Sequence, residues 1–331
     1  MGFLEWLGQL LASFIPPWEL VPKTHTGVRQ RNMPIPAVVK TWCDRQRREG
    51  RRFLGLHYAP EHCVYIRDCG STLGLCPAER VMLPDGGRHL PSTGQLWAWE
   101  NWVDFWGRVD GLARKHKARV VGIHMGDSVD GDHHRTTQLI TADPEAQAYI
   151  RDHALLPMKQ ACKKIYMCIG TEAHVGPGQD SACGKWLGAE RHPTTDAWAA
   201  HEWNLNLSGV KIQARHHWSM GKLPWTKHGS AVRLATQVFA EHAEYAARTG
   251  HPLTFPDILL RGHMHQWSDS GTAQPVRALG VPSYQLSTSF VHRIRQTDLA
   301  DIGGVIILCQ DGKYDVTPVL YAPDPPVEVV V

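Results

Sequence analysis

Short apolar runs alternate along the chain with longer amphipathic stretches between about residue 60 and residue 320. Apolar runs of about four to eight residues are typical of buried strands, and apolar residues at helical spacing are typical of helices packed on a sheet. The pattern predicts strands at 63–67, 118–125, 164–169, 209–216, 256–261, 279–287, 304–309 and 313–320. Because helical stretches lie between several of these strands, the expected fold class is α/β.

Two of the helical stretches are well marked. The segment 97–116 is aromatic and apolar on one side, and the letters STGQ before it supply an N-cap. Its tryptophans could stack nucleic-acid bases, but their helical spacing favours a place in the core. A second helix is predicted over 230–249, where Gly250 and Pro252 end it. At the end of the chain, Asp311-Gly312 predicts a hairpin turn between two antiparallel strands of a second sheet.

Residues 1–55 depart from this alternation. Apolar residues recur at helical spacing before Pro16, but the stretch is too short to span a bilayer and lacks the basic start of a signal peptide. We expect an amphipathic helix that packs on the protein or on a partner. An interfacial membrane anchor is the alternative, disfavoured because the polar face carries no Lys or Arg. From Val21 to Gly50 the chain is basic and rich in proline, which indicates an irregular arm with a solvated charged face.

Composition narrows the class of protein. With 35 basic and 32 acidic side chains the formal net charge is +3, so the chain as a whole is no polycation for nucleic acid or acidic membranes. The eight cysteines form no CxxC pair, which argues against a zinc ribbon and a disulfide scaffold and favours reduced thiols in the cytoplasm. The 20 histidines form no run of six, so several of them are candidate ligands of a transition metal.

Four turns rich in potential ligands lie at or after predicted strand ends. GDSVDGDHH follows VVGIHM, GTEAH follows KKIYMCI, HHW follows VKIQAR and GHMH follows DILLR. In open α/β sheets the ligand site forms at the carboxyl ends of the strands, so four such turns in series favour a shared site. An aspartate that bridges two divalent ions, together with neutral imidazoles, is suited to hydrolysis of phosphate esters by activated water. The chain has no Walker A loop, GxSxG elbow, GxGxxG opening a helix or HExxH motif, which removes the competing enzyme classes.

In this order, the four turns resemble the motif series of the calcineurin-like metallophosphoesterases. More closely, GDSVDGDHH, GTEAHVG, RGHMH and DIGGVIIL resemble a subgroup of these proteins from bacteriophages and prophages. The resemblance covers roughly residues 60 to 310, with GHxH and GDxxDG as its most specific parts. It implies a metallophosphoesterase-like sandwich of two mixed β-sheets flanked by helices, with a phosphoesterase domain over 56–322 and a flexible tail over 323–331.

The resemblance also implies roles for individual residues. It makes Asp127 the carboxylate that bridges two metals, His263 a ligand of one metal and His265 a ligand of the other. Either His216 or His217 supplies a further imidazole, because strand alternation lets only one of two neighbours face the site easily, and His216 is preferred. The remaining Asp and His residues of GDSVDGDHH orient these ligands, contact substrate or only shape the turn.

Two motifs depart from the family pattern. The family has Gly-Asn-His followed by an acid where this chain has GTEAH, so Thr171 replaces a ligand asparagine. Glu172 is then the candidate oxygen ligand, with an exposed turn residue as the alternative. His174 is the candidate general acid for the leaving alkoxide, because an imidazole titrates near neutral pH.

The second departure lies in the first motif, where the family has Asp-x-His. Here the stretch reads VYIRDCGSTLGLCP, in which Asp68 is followed at once by Cys69. Asp68 is the expected ligand, and His57 or His62 could substitute for it. Cys69 is a candidate soft ligand, although a small buried thiol is the simpler interpretation.

The sequence therefore predicts a metal-dependent phosphoesterase that uses two divalent ions, Mn, Fe or Zn, and acts on phosphate esters, with phosphodiesters favoured. Nucleic acid or nucleotides are the substrates suggested by the phage resemblance. The alternative is a weak or inactive phosphoesterase-like scaffold that serves as a phage-type interaction or structural protein, as the altered first motif suggests.

Overall fold

A computed structural model of the chain describes residues 75–76, 81–82, 86–132, 138–176, 178–219, 221, 226–287 and 301–322. Its strands are β1 Val81–Met82, β2 Arg88–His89, β3 Val121–His124, β4 Lys164–Met167, β5 Glu202–Leu207, β6 Val210–Arg215, β7 Ile258–Arg261, β8 Ser268–Asp269, β9 Arg277–Gly280, β10 Ile302–Gln310 and β11 Lys313–Tyr321. Its helices are α1 Thr93–His116, α2 Pro144–Ala154, α3 Leu156–Ala161, α4 Glu172–Val175, α5 Gln179–Leu187 and α6 Lys227–Thr249.

The largest sheet has five strands in the order β5-β6-β7-β9-β8 and mixes parallel with antiparallel pairs. All four residues of its central strand β7, with the sequence ILLR, are buried, so both faces of this strand are covered. Successive side chains of a strand point to opposite faces. Leu259 accordingly packs in a cluster with helix α6, while Ile258 and Leu260 pack in the cluster on the other face.

The second layer contains a parallel pair, β3 with β4, and an antiparallel hairpin, β10 with β11. Partly buried side chains of β3, β4 and β10, among them Ile123, Tyr166 and Ile307, pack against the inner face of the five-stranded sheet. Helix α1 packs on β10 and helix α5 packs on β4. Two layers of strands with helices outside them are therefore present, and the predicted α/β class with mixed sheets is confirmed.

Helix α1 shows how the sequence determines an element. Ser92 caps its first turn, because the Ser92 hydroxyl accepts from the Gln95 N–H while the Gln95 side chain accepts from the Ser92 N–H. Trp102 and Trp106 are buried on the inner side, and the Trp102 indole donates to the Ala154 carbonyl at 2.9 Å. The predicted core role of these two tryptophans is confirmed.

Most strand and helix predictions agree with the structure within a few residues, but some do not. The predicted strand 279–287 ends at Gly280, where β9 leaves the five-stranded sheet, and Ser283 forms only an isolated bridge with Ile302. Strand β5 was missed, although EWNLNL alternates polar and apolar residues as a half-buried strand does, with Trp203 and Leu205 packed in the core. The Asp311-Gly312 hairpin is confirmed: both residues have positive φ, 49° and 74°, as a type I′ turn requires.

Several expectations lie outside the described residues or remain predictions. The N-terminal helix and basic arm, the strand at 63–67 and the tail 323–331 lie outside them, and the proposed domain boundaries remain predictions. Among the described residues, no helix is both long enough and apolar enough to cross a membrane. All five cysteines in that part of the chain have free thiols.

Candidate functional site: a cluster of aspartate, threonine and histidines

The loop after β3 brings Asp127 to the carboxyl end of the strand pair. Gly126 has φ 96° and Asp127 has φ 53°, so the chain turns sharply through two left-handed residues. A side chain at Gly126 would place its Cβ 2.7 Å from the Gly170 Cα, and one at Gly170 would overlap Asp127. The two glycines therefore allow the loops after β3 and β4 to touch, which a larger residue at either position would prevent.

Thr171 lies on the loop after β4 and faces Asp127. Its backbone N–H donates to Asp127 Oδ1 at 2.6 Å, and its hydroxyl lies 3.4 Å from Asp127 Oδ2. The same hydroxyl lies 3.3 Å from His216 Nε2 and 3.1 Å from His263 Nδ1. The threonine that replaces the family's asparagine thus has its oxygen in the middle of the candidate ligands.

His216 follows β6 and is only 3% exposed. Its Nδ1 hydrogen-bonds the Met125 carbonyl at 2.6 Å, which directs Nε2 toward Asp127 Oδ2 at 3.0 Å. A carbonyl partner on one ring nitrogen is the usual way in which a protein orients an imidazole that binds a metal through the other. Without a metal, burial opposes protonation of His216, but the contact with Asp127 outweighs it and raises the pKa of His216.

The contact between His216 and Asp127 favours the ionised form of the Asp127 carboxyl. Burial alone would raise the pKa of the Asp127 carboxyl, but the hydrogen bond and charge of His216 outweigh burial and hold that pKa well below its usual range. Burial and the charge of His216 lower the pKa of both His217 and His263. Without a metal, these shifts favour an ionised Asp127 and neutral His217 and His263, whereas His216 in its pair with Asp127 favours the charged form and must lose its proton to bind a metal.

His216, His217 and His263 form a group whose ligand atoms all lie within 4.8 Å of one another. Of the two neighbours His216 and His217, only His216 contacts Asp127 directly; His217 is more exposed and its ring packs edge-on against both other histidines. The preference for His216 over His217 as a metal ligand stays a prediction. His217 still lies near enough to His216 and His263 to bind the same metal ion.

The GHMH turn presents its two histidines from strained backbone. His263 has φ 66° and His265 has φ 51°, both in the left-handed region that costs a non-glycine residue free energy. His263 Nδ1 lies 3.3 Å from His216 Nε2. His265 lines a cavity together with His216 and His263, and burial lowers the pKa of His265 to about 4.

His174 and Glu172 occupy the short helix α4 beyond Thr171. The Nδ1 of His174 hydrogen-bonds the Asp130 carbonyl at 3.1 Å, so Asp130 orients the ring. Glu172 begins the helix and is exposed; its carboxylate is not in the histidine group among the described residues. Asp68, His57, His62, Cys69, His133 and His134 lie outside the described residues.

Three polar residues near the site were missed in the sequence. The carboxylate of Asp180 on α5 accepts from the backbone of both ligand loops, and Gln147 on α2 bonds both the N–H and the carbonyl of Gly131. His124 at the end of β3 accepts from the Gly126 N–H at 3.2 Å. His124 directly precedes the Met125-Gly126 turn, so its position in the sequence could have indicated that it lies near the site. Asp180 and Gln147 lie inside helices whose pattern gives no such signal.

The donor set fits a divalent transition metal. Thr171 Oγ1 and His216 Nε2 lie 3.0 to 3.4 Å from each other, from Asp127 Oδ2 and from His263 Nδ1. Carboxylate and imidazole donors suit Mn, Fe and Zn, and these ions are the ones whose sites mix oxygen with nitrogen ligands. The cluster borders a cavity of about 1390 Å³ lined largely by apolar residues of α1, β3 and β10.

No protein-family model and no curated protein sequence matches the chain. Three solved structures have a similar course of the chain, each with 12% sequence identity. A single mutant of Vps29 from Entamoeba histolytica covers 65% of this chain and 89% of its own, with a TM-score of 0.30. Wild-type Vps29 from the same organism, complexed with Zn²⁺, covers 51% and 75%, with a TM-score of 0.27.

The third structure is a conserved uncharacterized protein from Streptococcus pneumoniae, described as a predicted phosphoesterase. It covers 60% of this chain and 88% of its own, with a TM-score of 0.31. At this level of identity and TM-score the likeness carries no argument about activity. Function is therefore inferred from the geometry of the cluster.

Proposed function

We propose that the protein is a metal-dependent phosphoesterase, with phosphodiesters as its substrates. The observation that carries this proposal is the convergence of Asp127, Thr171, His216 and His263 at the carboxyl ends of four strands, where five donor-atom distances among them are 3.0 to 3.4 Å. Burying a carboxylate together with several imidazoles costs free energy, so such a cluster is not expected in a core that serves stability alone. The same set is well suited to holding a divalent ion.

The proposed ligands divide between two ions of Mn, Fe or Zn. Asp127 would serve both ions, His263 would serve one and His265 the other, and His216 would supply a further imidazole. Asp68 and Glu172 are the proposed oxygen ligands that complete the set. His217 is the alternative to His216 as the further imidazole ligand. When bound, the ions polarise phosphoryl oxygens and lower the pKa of a water molecule.

His174 is the proposed general acid. Because the Asp130 carbonyl accepts a hydrogen bond from Nδ1, the other ring nitrogen is the atom that delivers a proton. As the imidazolium, the ring can then give its Nε2 proton to the leaving alkoxide. The ring is only 22% exposed, so its orientation is held by the fold while one edge still meets solvent.

The resemblance to phage and prophage proteins suggests nucleic acid or nucleotides as the source of the phosphodiester. The near-neutral net charge of +3 means that such a substrate must be held at the site itself. Free thiols at the described cysteines fit a protein of the cytoplasm.

A second candidate function is a weak or inactive scaffold on the same fold. The exposed position of Glu172 favours it, since that carboxylate does not join the histidine group among the described residues. Such a scaffold would bind at most one ion and would act by contacting another phage-type protein.

Hydrolysis of bis(p-nitrophenyl) phosphate in the presence of Mn²⁺ tests the proposal. Asp127→Asn and His263→Ala should each lower the rate more than about 100-fold, because each removes a ligand. Asp257→Asn is the matched control: the Asp257 carboxylate accepts from the Lys211 N–H at 2.7 Å at the opposite end of β7. A wild-type rate no higher than that of Asp127→Asn would instead support the scaffold.

A further inference from the structure

Asp180 connects the two loops that carry Asp127 and Thr171. It is the second residue of α5 and is 2% exposed. Its Oδ1 accepts from the Ser128 N–H at 3.1 Å, and its Oδ2 accepts from the Gly170 N–H at 2.7 Å. One buried carboxylate therefore uses both of its oxygens on two separate loops.

Each of these N–H groups lies next to a candidate ligand. Ser128 follows Asp127 directly, and Gly170 precedes Thr171 directly. The loops touch at this point, since any side chain at Gly170 would overlap Asp127. A small change in the separation of the loops would therefore displace the Asp127 carboxylate from the Thr171 N–H that binds it at 2.6 Å.

The start of helix α5 is itself fixed in the core. The buried guanidinium of Arg151 on α2 donates to the carbonyl and to the side chain of Gln179, both at 3.3 Å. This contact holds the residue before Asp180 in place. Asp180 thus ties a packed helix to both loops, one of which turns through positive φ at Gly126 and Asp127.

We propose that Asp180 is a positioning residue of the metal centre, which sets the separation of Asp127 and Thr171 by accepting from Ser128 and Gly170 at once. This inference rests on the proposed function, because it assumes that Asp127 is a metal ligand. Among the described residues, the hydrogen bonds of Asp180 go to the two loops and not to the cluster, although its charge acts on His216 through space. Its effect passes through the backbone of the two loops, as the outer partners of metal ligands do.

The substitution Asp180→Asn tests this role. An amide keeps one acceptor oxygen but turns an N–H₂ group toward a backbone N–H, so one of the two bonds is lost and two donors face each other. We expect binding of Mn²⁺ alone, measured by titration calorimetry on the full chain, to weaken about 10- to 100-fold. Amide hydrogen exchange at Ser128 and Gly170 should become faster. Asp257→Asn, the matched control, should bind Mn²⁺ as wild type does.

The outcomes separate this inference from the proposed function. Wild type that binds Mn²⁺, with Asp180→Asn binding it equally well, would overturn the positioning role and leave the metal centre intact. Wild type that binds no Mn²⁺ would overturn the proposed function and this inference with it. Asp180→Glu separates position from charge, and it also decides if Asp180→Asn does not fold: it keeps the charge and both acceptors but displaces them, and Mn²⁺ affinity equal to that of wild type would contradict the role.

Discussion

At the scale of single residues, the cluster is marked by strain. Three of the seven non-glycine residues with positive φ in the described part of the chain are Asp127, His263 and His265. Each left-handed non-glycine residue costs roughly 1–2 kcal/mol, and such conformations tend to gather at functional sites. The sequence indicated these residues by their motifs. It gave no sign of the backbone conformation that directs their side chains.

The Thr171 hydroxyl is the residue-scale feature that distinguishes this site from the family pattern. Thr171→Val keeps the shape and the backbone bond to Asp127 but removes the oxygen shared by His216 and His263. We expect Mn²⁺ affinity to fall about 10-fold or more, while Thr171→Ser stays close to wild type. Titration calorimetry of the three proteins checks this. Equal affinity in the valine variant would show that the hydroxyl takes no part.

The strain at His263 predicts an unusual order of stability. At φ 66° an alanine keeps the left-handed penalty, whereas a glycine does not. The free energy of unfolding of His263→Gly should therefore be up to about 1 kcal/mol higher than that of His263→Ala. This difference already allows for the greater entropy of glycine in the unfolded chain. Urea denaturation of the two metal-free variants measures the difference. A more stable alanine variant would contradict the assigned conformation.

At the scale of elements, the sequence predicted the strands that carry the site because their apolar runs end in polar turns. Strand β3, strand β7 and the hairpin of β10 and β11 follow this rule. Strand β5 has no such run, because its buried Trp203 and Leu205 alternate with exposed asparagines, and strand β8 is only two residues long. The supporting helices α2 and α5 were not predicted either, and with them the roles of Gln147 and Asp180.

Strand β8 is fastened to β9 by an ion pair that predicts a pH dependence. Asp269 accepts from Arg277 at 3.0 and 2.7 Å. Burial alone would raise the pKa of Asp269, but the bonds to Arg277 outweigh it and lower that pKa. Because the pKa of Asp269 is lower in the folded than in the unfolded protein, where it is about 4, its ionised carboxylate stabilises the fold at higher pH. This contribution to the free energy of unfolding is lost as the pH falls through the pKa of the folded protein.

Asp269→Asn should therefore lower the free energy of unfolding by about 1 kcal/mol at pH 7 and by much less at pH 3. Urea denaturation of wild type and variant at the two pH values measures both differences. Asp196→Asn is the control, because Asp196 is 76% exposed in its pair with Arg191 and should change little at either pH. A loss for Asp269→Asn that is the same at pH 3 would contradict the ionic origin.

At the scale of the whole molecule, two layers of strands bring together turns that are far apart in the sequence. The turns after β3, β4, β6 and β7 meet because parallel strands end at the same edge. The order of motifs and this rule were enough to predict that Asp127, His216 and His263 would be neighbours. The contacts of Thr171 with all three, and the carboxylate of Asp180 behind them, depend on loop geometry and could not be predicted.

Anomalous X-ray diffraction from crystals grown with Mn²⁺ tests the central claim most directly, because it locates the ion without reference to activity. We predict an anomalous peak among Asp127, His216 and His263, with the Thr171 hydroxyl beside it, and no peak there in crystals of Asp127→Asn. A peak elsewhere on the wild-type protein, or none at all, would contradict the metal centre and the phosphoesterase built on it.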